Sequence, residues 1–82
     1  MNVRDEVIDV LSIQRSSEEI FKLLEEGDTL APLTFNSLEF IKLIVELELK
    51  FEIDFEDEDI DFDKFQSFNY LISYIEEKIF KK

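Results

Sequence analysis

The groups in this chain that could do chemistry are one serine at a helix start and a dense run of carboxylates. Ser37 follows Asn36 at the head of the strongest helical pattern, and eight acids fall between Glu52 and Asp63. A serine hydroxyl is a weak nucleophile unless a neighbouring base or a second enzyme activates it. The chain has no His and no Cys, which removes Cys/His zinc sites, thiol nucleophiles and the Ser-His-Asp triad. Its single glycine, Gly27, rules out the glycine-rich turns that cradle nucleotide phosphates. Paired carboxylates need an enclosed cleft to push their pKa values apart, and 82 residues offer little volume for one. Intrinsic catalysis is not expected. Asp57, Asp59 and Asp61 alternate as in a calcium-binding loop, but the required turn glycine is missing and Phe68 falls where the bidentate glutamate belongs. Crowded charge loosely screened by counterions is the expected state of this run, without a specific metal.

Charge narrows the partners. Nine Lys and Arg stand against 21 Asp and Glu, a formal charge of -12. Nucleic-acid affinity rests on cationic neutralisation of phosphates, so a nucleic-acid partner is not expected and basic protein surfaces are. Apolar residues make up 45% of the chain, with nine Phe, enough for one core without disulfide or metal staples. The expectation is a single domain over residues 1–82, monomeric. Uninterrupted apolar stretches reach only three residues, as in Leu43-Ile44-Val45, far short of the ~20 that span a bilayer. The acidic start Asp5-Glu6 does not resemble an export signal, and a cytoplasmic protein without membrane insertion is expected.

The elements that must position Ser37 follow from periodicity. Val3, Val7, Val10 and Leu11 share one helical side, predicting a first helix over 3–13 with Asn2 as N-cap. Ser16 and Glu19 form a capping-box pattern ahead of Ile20, Leu23 and Leu24, predicting a short second helix or a bent continuation to Glu25. Gly27, Asp28 and Pro32 mark a long loop anchored by Leu30, Leu33 and Phe35. Asn36 with Glu39 makes a second capping box, opening a central helix over 37–51. Residues 52–63 read as an extended loop with a short helical turn, and Ser67 caps a last helix faced by Phe68, Leu71, Ile72, Ile75 and Ile79. The predicted fold is all-α: a small bundle of three main helices plus one or two short turns, with a long loop before the central helix.

The central helix carries two apolar stripes. At about 100° per residue, Phe40, Leu43, Ile44, Leu47 and Phe51 share one side while Leu38, Ile41, Val45 and Leu49 lie nearly opposite. The first set belongs to the core, with Phe35, Ile53, Phe55, Ile60, Phe62, Phe65, Phe68, Leu71 and Ile75. The second is either buried by a small bundle or left for a partner, exposure being the expectation for Val45 and Leu49.

Leu33-Thr34-Phe35-Asn36-Ser37-Leu38 parallels a Leu-Gly-x-Asp-Ser-Leu core. Phe51-Glu52-Ile53-Asp54-Phe55 and Phe65-Gln66-Ser67-Phe68-Asn69-Tyr70-Leu71 parallel Phe-x-Ile-x-Ile and Phe-x-Thr-Val-x-x-Leu/Ile runs. With its length and acidity, the chain resembles the acyl carrier protein family over essentially its whole extent. The resemblance implies that Ser37, flanked by Asn36 and Leu38, accepts a 4'-phosphopantetheine arm from coenzyme A through a separate phosphopantetheinyl transferase. It implies that the protein is no enzyme but carries acyl or aminoacyl groups as thioesters on that arm, for fatty-acid or specialised polyketide or peptide biosynthesis. Loading, elongating and releasing enzymes with basic docking patches would be its partners. The docking face so implied comprises Leu38, Glu39, Ile41, Lys42, Val45, Glu46 and Leu49, with Glu48 beside it. The many Phe rings are expected to fill the space between helices, leaving cargo outside.

Three positions depart from the family pattern. Asn36 replaces Asp, keeping the cap but removing a charge beside the modification site; Thr34 replaces Gly; and Lys42 is cationic on a helix usually acidic. The competing reading is an unmodified module of the same fold that binds a basic partner through the central helix.

Overall fold

The computed structural model describes residues 2–81. Among them lie four α-helices and three single 3-10 turns: α1 (Val3–Leu11), α2 (Ser17–Glu26), a turn at Ala31–Leu33, α3 (Ser37–Phe51), turns at Asp57–Asp59 and Lys64–Gln66, and α4 (Phe68–Phe80). No strand occurs among these residues; an isolated antiparallel bridge pairs Thr29 with Ser67. The all-α bundle is the predicted class, with one refinement: the second segment is a helix of ten residues against nine for α1, so four helices replace three main ones.

Each helix begins at a side-chain cap. Asn2, Ser16, Asn36 and Ser67 accept the backbone N–H three residues on, from Asp5, Glu19, Glu39 and Tyr70, satisfying donors that no intrahelical carbonyl can reach. The first helix ends two residues earlier than predicted. The Ser12 hydroxyl donates to the Ile8 carbonyl, and the next amides, of Ile13 and Gln14, bond three residues back, to Val10 and Leu11. That tightening unwinds the helix and turns Ile13 out to solvent.

The core gathers Val7, Val10 and Leu11 of α1, Ile20 of α2, the inner stripe of α3, and Phe68, Leu71 and Ile75 of α4, with no buried charged side chain among the described residues. Ile53, Phe55 and Phe65 bring the acidic segment onto this core. Phe65 packs against Phe55, Phe40 and Tyr74 with ring centroids 5.4–6.3 Å apart, a geometry that adds to area burial. Tyr74 holds the acidic turn from the α4 side: its hydroxyl donates to Asp59 and accepts from the Glu56 N–H. Two expected core members, Phe35 and Ile60, are only half-buried. Phe62 is 39% exposed, its ring lying edge-on to Phe40 at 5.0 Å; it rims the core because the chain there follows an acidic turn that must stay hydrated.

The start of α4 is tied to the loop before α3. Asp28 accepts from the Asn69 N–H and the Ser67 hydroxyl through its carboxylate and from the Phe68 N–H through its carbonyl. The Leu30 N–H donates to the Gln66 carbonyl beside it. These bonds fix the long loop against the far end of the chain and so orient its outgoing residues toward α3.

Two leucines on α3 separate the stripes energetically. Leu47 is fully buried and Leu49 is 69% exposed. Leu47→Ala is expected to cost about 2–5 kcal/mol, and Leu49→Ala less than about 0.5 kcal/mol, as read from urea unfolding midpoints.

Candidate functional site

The loop reaching Ser37 is a strained turn held from outside. Pro32 sits in the 3-10 turn Ala31–Leu33, and Thr34 follows in the left-handed region with φ 52° and ψ 48°. A β-branched residue rarely adopts that conformation, which costs roughly 1–2 kcal/mol. Arg15, in the turn after α1, supplies the compensation. Its Nε donates to the Leu33 carbonyl at 2.9 Å and an Nη to the Thr34 carbonyl at 3.4 Å. Its two Nη atoms hold the two carboxylate oxygens of Glu39 at 2.9 and 3.2 Å, and its guanidinium lies 4.7 Å from the Phe35 ring centroid. Gln14 adds a bond to the Glu39 carbonyl. One side chain thus joins the end of α1, the loop and the first turn of α3.

Glu39 closes the second half of the assembly. Its side chain accepts from the Asn36 N–H at 3.1 Å while the Asn36 side chain accepts from the Glu39 N–H at 2.8 Å, completing the predicted capping box. The Arg15 hydrogen bonds, then the Asn36 N–H, hold the Glu39 carboxyl below the usual carboxylate range against the opposing effect of desolvation. The same hydrogen bonds push the Arg15 guanidinium pKa higher still.

Ser37 is the first residue of α3 and is exposed. The first α-helical bond of α3 is donated by the Phe40 N–H to the Asn36 carbonyl, so the Ser37 and Leu38 amides precede the ladder and sit at its positive end. The nearest acid, Glu39, is neutralised by Arg15. The site therefore offers an open hydroxyl at a helix N-terminus whose adjacent charge is already balanced. No basic side chain hydrogen-bonds the hydroxyl among the described residues, and a serine hydroxyl without such a partner is a weak nucleophile.

The face running away from Ser37 is apolar and uncovered. Leu38, Ile41, Val45 and Leu49 are 45–69% exposed, which settles toward solvent the two positions the sequence left open, Leu38 and Ile41. Lys42 and Glu46 are exposed on the same side. Glu39 and Glu48, expected in or beside the docking face, are not free charges. Glu39 is bound to Arg15, and Glu48 is half-buried with its carboxylate accepting from the Phe55 N–H at 2.9 Å; each carboxylate first serves the chain's own turns.

Beside the same helix end, the Phe rings leave more room than expected. An apolar cleft of about 170 Å³ lies between the loop and the acidic segment, lined by residues including Leu30, Phe35, Phe40, Leu43, Phe62 and Phe65. No group of three or more His, Cys, Asp or Glu among the described residues is placed to hold a metal ion. Asp61 instead accepts from the Asp63 and Lys64 N–H groups, and Asp59 accepts from Tyr74.

The sequence reading missed Arg15 and Ile13. Neither belongs to a periodic pattern, and the Arg15–Glu39 pair spans 24 residues. The only local signal is that Gln14-Arg15-Ser16 interrupts two helices, which marks a turn but not what it reaches. Comparison with known proteins finds no matching family model, no matching curated protein and no matching solved structure. No helix among the described residues is long and apolar enough to cross a membrane.

Two outcomes test this geometry. Thr34→Gly is expected to stabilise the protein by about 0.5–1 kcal/mol in urea unfolding, the left-handed cost relieved less the extra freedom of glycine in the unfolded chain. A carboxyl lowered on folding stabilises above its unfolded pKa, and that contribution vanishes as pH falls through its folded pKa. The stability gap between wild type and Glu39→Gln should therefore be full near neutrality and close as pH drops through and below the ordinary carboxylate range.

Proposed function

We propose that this chain is an acyl-carrier-type protein that bears a 4'-phosphopantetheine arm on Ser37. The observation that carries the reading is the exposed Ser37 hydroxyl at the first position of a well-capped helix, in the middle of a Leu33–Leu38 segment patterned like that family's attachment site. Thr34 adds support: the family pattern has Gly at this place, and here the backbone adopts the left-handed conformation that glycine favours.

The residues present fit the group. A phosphodiester on Ser37 would lie at the positive end of α3, near amides without intrahelical acceptors, worth about 0.3–1 kcal/mol. Arg15 neutralises Glu39, so the nearest carboxylate would repel it little. When bound, the arm supplies a terminal thiol that holds acyl or aminoacyl cargo as thioesters. The chain's own tasks are to present the hydroxyl to a transferase, to hold the loop still, and to offer partner enzymes the apolar face that begins at Leu38. In this reading the protein catalyses nothing, and its partners are the transferase and the enzymes that load, extend and release the cargo in fatty-acid or specialised polyketide or peptide synthesis. Tethering raises the effective concentration of cargo at each docked enzyme.

Incubation with coenzyme A, magnesium and a broad-specificity phosphopantetheinyl transferase, followed by intact-mass measurement, tests the proposal. One added phosphopantetheinyl group, lost in Ser37→Ala, is the expected result. Asn36→Asp should leave the cap intact and modify at least as fast. No gain with several transferases would favour the unmodified module that binds a basic partner through α3.

A further inference from the structure

The chain that carries Ser37 is fastened on both sides of one short link. Upstream, Asp28 bonds Ser67, Phe68 and Asn69, the Leu30 N–H reaches the Gln66 carbonyl, and the Leu33 and Thr34 N–H groups close the 3-10 turn on the carbonyls of Leu30 and Ala31. Downstream, Asn36 and Glu39 cap each other and fix the first turn of α3. Between these two blocks lie Thr34 and Phe35, whose backbone angles set the direction in which α3 leaves the loop. Thr34 is exposed and Phe35 half-buried, so burial does little to fix the link, and the φ of 52° at Thr34 is one that a β-branched residue resists. Arg15 bridges it. All five guanidinium N–H donors find acceptors: the Leu33 carbonyl before the link, the Thr34 carbonyl within it, both Glu39 oxygens beyond it, and the Gln14 carbonyl at 2.8 Å, which pins the group to the end of α1. The Phe35 ring lies against its face.

We propose that Arg15 is a positioning residue for arm transfer to Ser37, holding from outside a left-handed link at Thr34 that a glycine would hold by itself. This role rests on the reading of Ser37 as the attachment site. Arg15 acts on the population of the loop, not on the chemistry. When only a fraction of molecules has the binding-competent loop, apparent affinity falls by that fraction. Loss of the clamp should therefore raise KM for the chain as a transferase substrate and spare kcat. Arg15→Lys keeps a positive charge beside Glu39 but offers three donors on one nitrogen in place of five in a planar fork. Thr34→Gly removes the strain that the clamp opposes, and with it most of the need for Arg15.

The test measures steady-state arm transfer from coenzyme A by a broad-specificity phosphopantetheinyl transferase, with the whole chain as substrate, at a temperature where circular dichroism shows every variant folded. Arg15→Lys is expected to raise KM for the chain about fivefold or more, with kcat within about twofold of wild type. The same substitution made in the Thr34→Gly chain should raise KM by less than about twofold. Ile75→Val trims a fully buried side chain of α4 and removes no hydrogen bond; it lowers stability without touching the loop and should leave both constants unchanged. Nuclear magnetic resonance relaxation dispersion reads the loop without a transferase: the Phe35, Asn36 and Ser37 amides should show exchange in Arg15→Lys that the added Thr34→Gly removes. An unchanged KM in Arg15→Lys, the same rise with and without Thr34→Gly, or an equal rise in Ile75→Val would overturn the proposal. Wild type that takes no arm from several transferases would remove the attachment reading and this role together, whereas transfer indifferent to Arg15 would remove this role and leave that reading standing.

Discussion

The bidentate contact of Arg15 with Glu39, beside the Gln14 bond to the Glu39 carbonyl, ties the end of α1 to the loop and the first turn of α3. Its guanidinium also holds the carbonyls of Leu33 and Thr34 and stacks beside Phe35. A planar fork of five donors can bind a carboxylate and turn carbonyls at once; a lysine ammonium could not keep that geometry. Surface ion pairs usually contribute little on their own, and the importance of this one lies in what it positions. Without it, the left-handed turn at Thr34 would lose its external support, and the entry into α3 would rest on the Asn36 cap, the Gln14 bond and the Asp28 ties of the loop.

That entry direction governs the proposed site. In the proposed role, Ser37 needs only an exposed hydroxyl and surroundings free of uncompensated negative charge. Both follow from the same few groups: Asn36 and Glu39 reciprocally cap the helix, and Arg15 balances Glu39. In a molecule with 21 acids, local neutrality at this end contrasts with the crowding at residues 52–63, where the carboxylates are drawn into turns by backbone N–H groups, Tyr74 and Lys78. The chain as a whole keeps its excess of negative charge, while at the Ser37 end Arg15 balances Glu39.

Much of this was legible in the chain before its structure. Caps at Asn2, Ser16, Asn36 and Ser67 are local signals, because the side chain and the amide it satisfies lie three residues apart. The two stripes of α3 follow from periodicity alone, and the outward stripe lies where its angle put it. Local rules could not show the partner of Arg15, the early end of α1 at Ser12, or the hydrogen bond that draws Glu48 inward to Phe55. The first depends on a segment 24 residues away; the other two are set by bonds within four and seven residues that the helical periodicity does not encode. Phe62 was misplaced in the core for a related reason: hydrophobicity states a preference for burial, whereas the acidic turn around it decides how deep the backbone can go.

The Asp28 clasp on α4 bears on how the molecule assembles. The Phe68 and Asn69 amides, among the first donors of that helix, find their acceptors about forty residues upstream. Such partners come together only after a long loop has closed, at an entropic cost that local turns avoid. The opening turn of α4 should thus consolidate late on the folding route, after the α3 cap has formed from neighbours, and a nascent chain emerging from its amino end would already hold the waiting acceptor when the final helix appears.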